Sequence, residues 1–195
     1  MRARLRAGDQ AAFGDLFDEQ AQVVYHHGFR MTGDRTLAED VVSATFLQAW
    51  RMRDRIDPDG GSLRPWLLGI ATNIIRNLSR KAHRERGLLA RLAPRDEVPD
   101  FADELVGRID DAGALAAVRA ALARLRPAER EVVALCVWGG LEYADAAEAL
   151  GIPIGTVRSR LSRARRRLAR LSAPEPGPGP RQLQGDAAPA PEGTR

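Results

Sequence analysis

Apolar residues recur at intervals of three and four along two stretches of the chain, and the pattern lapses between and after them. That period belongs to the α-helix, in which residues three and four apart share a face. From Asp9 to about Met31, Phe13, Leu16, Phe17, Val24 and Phe29 hold apolar positions, and "GDR" at 33–35 ends the run. Thr36 and Glu39 have the spacing of a capping box and predict a second helix, which carries Val41, Val42, Phe46, Leu47 and Trp50 to about Met52. "RIDPDGGS" (55–62) reads as a loop. Pro65 suits the first turn of a third helix, where a missing N–H leaves nothing unpaired, and that helix is expected to run to about Arg86. Leu67, Ile70, Ile74 and Leu78 form its apolar stripe.

The second stretch predicts a helix over 115–125 and another from Pro127 to near Trp138, stopped by "WGG". Tyr143, Ala146, Ala147 and Leu150 follow at helical spacing, and Gly151 fits the left-handed residue that ends a helix. "IPIG" then turns the chain into a last helix with Val157, Leu161, Ala164 and Leu168 on one stripe. Alanine and leucine dominate and β-branched runs are short, so the expectation is an all-α chain of two small helical domains. Their bounds are placed at 1–86 and 113–172. A linker, 87–112, contains "APRDEVPDFADE"; a Pro/Gly-rich tail, 173–195, is too polar to order itself.

Composition narrows the function classes. Net charge is only +4, but seven arginines fall between Arg158 and Arg170 with no acid among them. A local patch of that kind matters more to a polyanion than the total. Cys136 is the sole cysteine, which excludes an internal disulfide and fits a reducing compartment. "MRARLRAGDQ" has no apolar core after its arginines, and no run approaches the ~20 apolar residues of a membrane span. A cytoplasmic protein without membrane insertion is expected. His26, His27 and His83 have no metal-ligand spacing with Cys136, and no phosphate loop, nucleophile motif or framed carboxylate pair occurs. No cofactor, metal, catalytic residue or small-molecule substrate is therefore expected.

Two helices carry candidate recognition chemistry. In the last, a short helix, a turn of about four residues and a longer helix share an apolar seam, while Ser159, Ser162, Arg163 and Arg166 face away with Arg158 on a flank. A helix-turn-helix needs this arrangement: its second helix enters the major groove, where arginine grips guanine bidentately and serine pairs with several base edges. Arg165, Arg167 and Arg170 would hold phosphates or stay solvated. In the third helix Asn73, Arg76, Asn77, Arg80 and Arg84 form a polar stripe; asparagine can read a base edge and arginine can neutralise phosphate, although a solvated face accounts for the same residues taken alone. Trp50, Trp66 and Trp138 suit core or interface anchors, with Trp66 equally placed to stack.

"ALARLRPAEREVVALCVWGGLEYADAAEALGIPIGTVRSRLSRARRRL" resembles domain 4 of bacterial sigma-70-type factors of the extracytoplasmic-function (ECF) class. "AEDVVSATFLQAW" resembles the sigma domain 2 helix that docks on the RNA polymerase clamp, and "PWLLGIATNIIRNLSRKAHRER" the one that meets the promoter −10 element. Three motifs in the family's order are far more specific than one. The resemblance implies an alternative sigma factor with no catalysis of its own, which joins core RNA polymerase at clamp and flap, recognises promoter DNA and answers to an anti-sigma factor. It implies −35 contacts from Thr156, Arg158, Ser159, Ser162, Arg163 and Arg166. The −10 contacts would come from Trp66, Asn73, Arg76, Asn77 and Arg80, and the polymerase contacts from Asp40, Ser43, Phe46, Leu47 and Trp50. The loop "RIDPDGGSLR" matches the place where the family captures a flipped-out −10 base. This chain departs from the family in having Ser43-Ala44 where Gln-Glu is usual, which removes a carboxylate from the polymerase face. The competing reading is a stand-alone helix-turn-helix regulator, for which residues 36–86 would have to form a sensing or dimerising domain.

Overall fold

The computed structural model describes residues 1–92 and 120–172, with side chains over 1–84 and 120–170. Among the described residues there are helices and turns and no strand. The helices are α1 (Arg2–Arg6), α2 (Gln10–Thr32), α3 (Arg35–Arg51) and α4 (Arg64–Leu92), then α5 (Pro127–Val133), α6 (Tyr143–Leu150) and α7 (Ile154–Ser172). A 3-10 turn, Arg53–Arg55, follows α3, and α5 runs on into one π-helical turn, Ala134–Trp138. Residues 120–123 are also helical; the remainder of the helix expected over 115–125, most of the linker and the whole tail lie outside the described residues.

Local chemistry sets the ends. Asp9 caps α2, its carboxylate accepting from Ala12 N–H at 3.1 Å, and Gly33 closes it at φ +77°. The cap of α3 is not Thr36, as the sequence suggests, but Asp34. Its backbone is extended (φ −114°, ψ 129°) and its carboxylate accepts from Leu37 N–H at 3.0 Å; Thr36 is already inside the helix. α4 also outruns its expected end at Arg86, continuing through "GLLARL" to Leu92. Five of those six residues are good helix formers, and one glycine costs only about 1 kcal/mol. α1 was not evident from the pattern at all.

Two cores result. In the first, Leu5, Leu16, Val24, Val41, Phe46 and Leu67 from α1–α4 pack together. Phe46 meets the edges of Phe13 and Phe17, at ring-centroid distances of 6.1 and 4.8 Å. In the second, Val132, Leu135, Leu150, Val157, Leu161 and Ala164 join α5, α6 and α7. Leu68 of α4 is fully buried and belongs to this second core.

α4 is therefore buried on two sides, one more than its apolar stripe predicts, and the stripe itself is buried at Leu67 and Ile70 but runs out at Leu78, which is 37% exposed. Gly69 lets α6 come close: a methyl group there would stand 2.8 Å from the Ala149 carbonyl oxygen. On the other side, Thr72 donates its hydroxyl proton to Leu68 O at 2.8 Å, so at 2.9 Å it accepts from His27 Nε2–H. That fixes the neutral Nε2–H tautomer of His27. Burial, assisted by the charge of Arg30, pushes the pKa of His27 down to about 4.

Candidate nucleic-acid interface

α6 and α7 form the helix-turn-helix. Gly151, at φ +64°, ends α6 and supplies the left-handed turn that the sequence predicts. Pro153 O then accepts from Thr156 N–H at 2.8 Å and starts α7. Val157, Leu161 and Ala164 are buried, with Leu168 packed at the edge, so the remaining face is fixed outward. On it Arg158, Ser159, Ser162, Arg163 and Arg166 are all exposed and Thr156 is half-buried. Arg163 donates to Ser159 O and Oγ, both at 3.2 Å, and Ser159 Oγ donates to Thr156 O at 3.0 Å. These contacts lay the Arg163 guanidinium along the helix, where a base edge can replace them without a change of fold.

α7 is held by acids that periodicity does not reveal. Glu129 is 5% exposed; its carboxylate accepts from Arg126 N–H at 3.1 Å and from Arg167 at 3.2 Å. Arg167 thus braces α7 against α5, a partner the sequence does not suggest, while its side chain stays 41% exposed. Arg130 covers Leu122 O and Ala123 O at 3.1 Å each, tying the chain before α5 to it. Burial pushes its guanidinium below its usual pKa, and pushes the half-buried Cys136 thiol up.

The α4 face divides. Asn73, Asn77 and Arg80 are exposed, whereas Trp66 is half-buried against the first core. Arg76 is engaged: its Nε and a terminal nitrogen reach the two oxygens of Glu131 at 2.6 Å each, and Asn73 Oδ1 accepts from it at 3.1 Å. Glu131 is 5% exposed, and its carboxylate raises the Arg76 pKa further. Beyond this pair, Arg30 lies over the Trp138 ring at 5.6 Å, which makes Trp138 an anchor between the two cores.

On α3, Asp40, Ser43 and Leu47 are exposed at helical spacing. Phe46 is not a surface residue; it is 4% exposed and supports α3 from the core side. Trp50 is half-buried, its ring against Phe13 at 5.0 Å and under Arg53 at 4.7 Å. Phe17 of α2 and Leu37 of α3 are exposed too, like Leu47. Ala44, Leu47, Gln48, Arg51, Met52 and Ile74 line a shallow groove. Among the described residues no cluster of His, Cys, Asp or Glu could hold a metal ion, and no helix is long and apolar enough to cross a membrane.

Comparison with known proteins places this geometry. The model of sigma-70 region 2 matches residues 16–85, and that of sigma-70 region 4 matches 115–168. The ECF RNA polymerase sigma factor SigL of Mycobacterium tuberculosis is 34% identical over 175 residues, 88% of this chain and 94% of that protein. The RNA polymerase sigma factor CarQ of Myxococcus xanthus is 34% identical over 173 residues, 86% of this chain and 93% of its own. Among solved structures, CnrH in complex with the cytosolic domain of CnrY has a TM-score of 0.66 at 29% identity, covering 87% of this chain and 93% of that one. The sigma factor RpoE in complex with the anti-sigma factor NepR from Bartonella quintana has a TM-score of 0.64 at 29% identity, covering 82% and 96%. The two matched regions, in this order on an all-helical scaffold, make the chain a member of the ECF group of the sigma-70 family.

Proposed function

We propose that this ECF sigma factor docks on core RNA polymerase through α3 and reads promoters with two helices, α7 at the −35 element and α4 at the −10 element. The observation that carries this is α7: its apolar stripe is buried against α5 and α6, and the opposite face presents Arg158, Ser159, Ser162, Arg163 and Arg166 to solvent. Arginine and serine in the first turns of such a helix suit base edges, and Arg170 suits a phosphate. Asn73, Asn77 and Arg80 supply a second exposed row on α4. The working units are 1–86 and 113–172, and loop 56–62 receives an unpaired −10 base. Asp40, Ser43 and Leu47, with Trp50 at the margin and Phe46 behind, form the polymerase face.

The packing sets one condition. Arg76 cannot offer the edge that grips Glu131, its Nε and one terminal nitrogen, to a nucleotide at the same time. Engagement of the −10 element through that edge therefore requires Arg76 to let go of Glu131, which loosens the contact of α4 with α5. An anti-sigma factor is the expected regulator, since one solved relative, RpoE, is a complex with such a partner. The factor works in the cytoplasm beside the polymerase and breaks no bond itself: opening DNA needs only a site that holds an unstacked base, at a cost of a few kcal/mol. The test is transcription by core polymerase plus purified factor on genomic fragments. Starts confined to one promoter class are expected; no start from any fragment overturns the proposal. Tight binding of the free protein to a palindrome would instead support a stand-alone regulator.

A further inference from the structure

Loop 56–62 is held only in part by its own hydrogen bonds. Within it Gly60 N–H reaches Asp57 O at 3.3 Å and Asp59 N–H reaches Asp57 Oδ1 at 3.1 Å, both local turn contacts. Four of its carbonyls, those of Ile56, Asp57, Gly61 and Ser62, accept from side chains of α1. Arg2 Nε donates to Gly61 O at 2.7 Å, one terminal nitrogen donates to Asp57 O, and the other to Ser62 O at 3.4 Å. Arg6 donates to Ile56 O at 3.2 Å. Leu5 between them is fully buried in the first core, so α1 cannot slide. Gly60 packs against the same guanidinium: a methyl group there would lie 2.6 Å from an Arg2 nitrogen. Behind the loop is a cleft of about 180 Å³ lined by Arg2, Leu16, Glu19, Gln20 and Gly61–Leu63. Gln20, 8% exposed, lines it with a side-chain oxygen that accepts no hydrogen bond among the described residues.

We propose that Arg2 and Arg6 are positioning residues for promoter opening: they hold loop 56–62 in the shape that receives the unpaired −10 base. This rests on the reading of that loop given above. A loop shaped in advance loses less conformational freedom when the base enters, so more of the contact energy goes to opposing re-pairing of the duplex. Only arginine offers several donors in a planar fork that can take three carbonyls at once, whereas lysine carries one compact charge.

The experiment uses holoenzyme assembled from core polymerase and the full chain, on a promoter it transcribes. Opening is followed with a fluorescent base analogue, on normal templates and on templates made abasic at each −10 position in turn. Arg2→Met and Arg2→Lys are expected to leave polymerase binding unchanged and to weaken opening about tenfold on the normal template, equivalent to 1.4 kcal/mol. Gly60→Ala, which displaces the guanidinium from the other side, is expected to do the same. On the template lacking the captured base the wild type should fall to the level of the variants, and the variants should lose nothing more. An equal loss on normal and abasic templates, or no loss on either, overturns the role of Arg2. A wild type indifferent to every abasic position overturns the base-capturing loop itself, and the proposal with it.

Discussion

Glu131→Gln separates the two uses of Arg76. The substitution keeps the shape of the side chain but removes the charge that receives both Arg76 nitrogens at 2.6 Å. Hydrogen bonds to charged groups contribute about 1.5–3 kcal/mol each way of counting, and breaking a fully buried ion pair costs about 3–5 kcal/mol. Glu131 is enclosed, its side chain 7% exposed, but that of Arg76 is 24% exposed and can turn to water. The cost should therefore sit at the lower end, about 2 kcal/mol, a shift of about thirtyfold toward separation of α4 from α5. Leu68 in the second core and Arg30 over Trp138 remain and oppose complete opening. Energy transfer between dyes at Asp18→Cys and Arg170→Cys, both exposed positions, in a Cys136→Ser background reports the separation. Lower transfer and tighter binding of a −10 strand are expected. Unchanged transfer with weaker strand binding would refute the reasoning, because Arg76 would then gain nothing from its release.

Three further outcomes follow. Arg163→Ala should cost about 1–3 kcal/mol at one −35 position and relax specificity there, whereas Arg170→Ala should weaken binding evenly and lower the salt slope; binding to a set of single-base promoter variants distinguishes them. Ser159→Ala removes one of the two acceptors that lay Arg163 along α7 together with Ser159's own −35 contact, so in the same assay it should change specificity at the Arg163 position as well as at its own. His27 is neutral in the fold with a pKa near 4 against 6.5 when unfolded, so the unfolded chain binds the extra proton between those values. Its contribution is fully present above pH 6.5 and is lost as pH falls toward 4, about 3 kcal/mol in all. Urea midpoints at pH 7 and 4.5 should show this loss, and His27→Gln should flatten it.

What the sequence could show was whatever one helix decides alone. The Val157–Leu161–Ala164 stripe, the left-handed Gly151 and the outward Arg/Ser face of α7 all follow from period and turn chemistry, and each is found as expected. Asp34 in place of Thr36 as a cap is a choice between two good side chains two residues apart, which backbone angles settle. The burial of Phe46 shows that α3 faces inward at a position where a periodic stripe reads equally well as surface. What stayed hidden was pairwise. Glu129 and Glu131 look like solvated acids in "PAEREVV" until Arg167 and Arg76 arrive from helices 38 and 55 residues away in sequence. Leu68 and Thr72 sit off the α4 stripe because that helix serves two cores, and a single hydrophobic period describes only one.

The central claim is tested most directly by retention of core RNA polymerase on the tagged factor, with Asp40→Arg as the comparison. Asp40 is exposed on α3 and supports no buried contact, so the variant should fold. The account predicts that the wild type retains the polymerase and that Asp40→Arg loses it while still binding −35 DNA through α7. Equal retention by both would contradict the placement of the polymerase face on α3, and no retention by the wild type would contradict the sigma-factor mechanism itself.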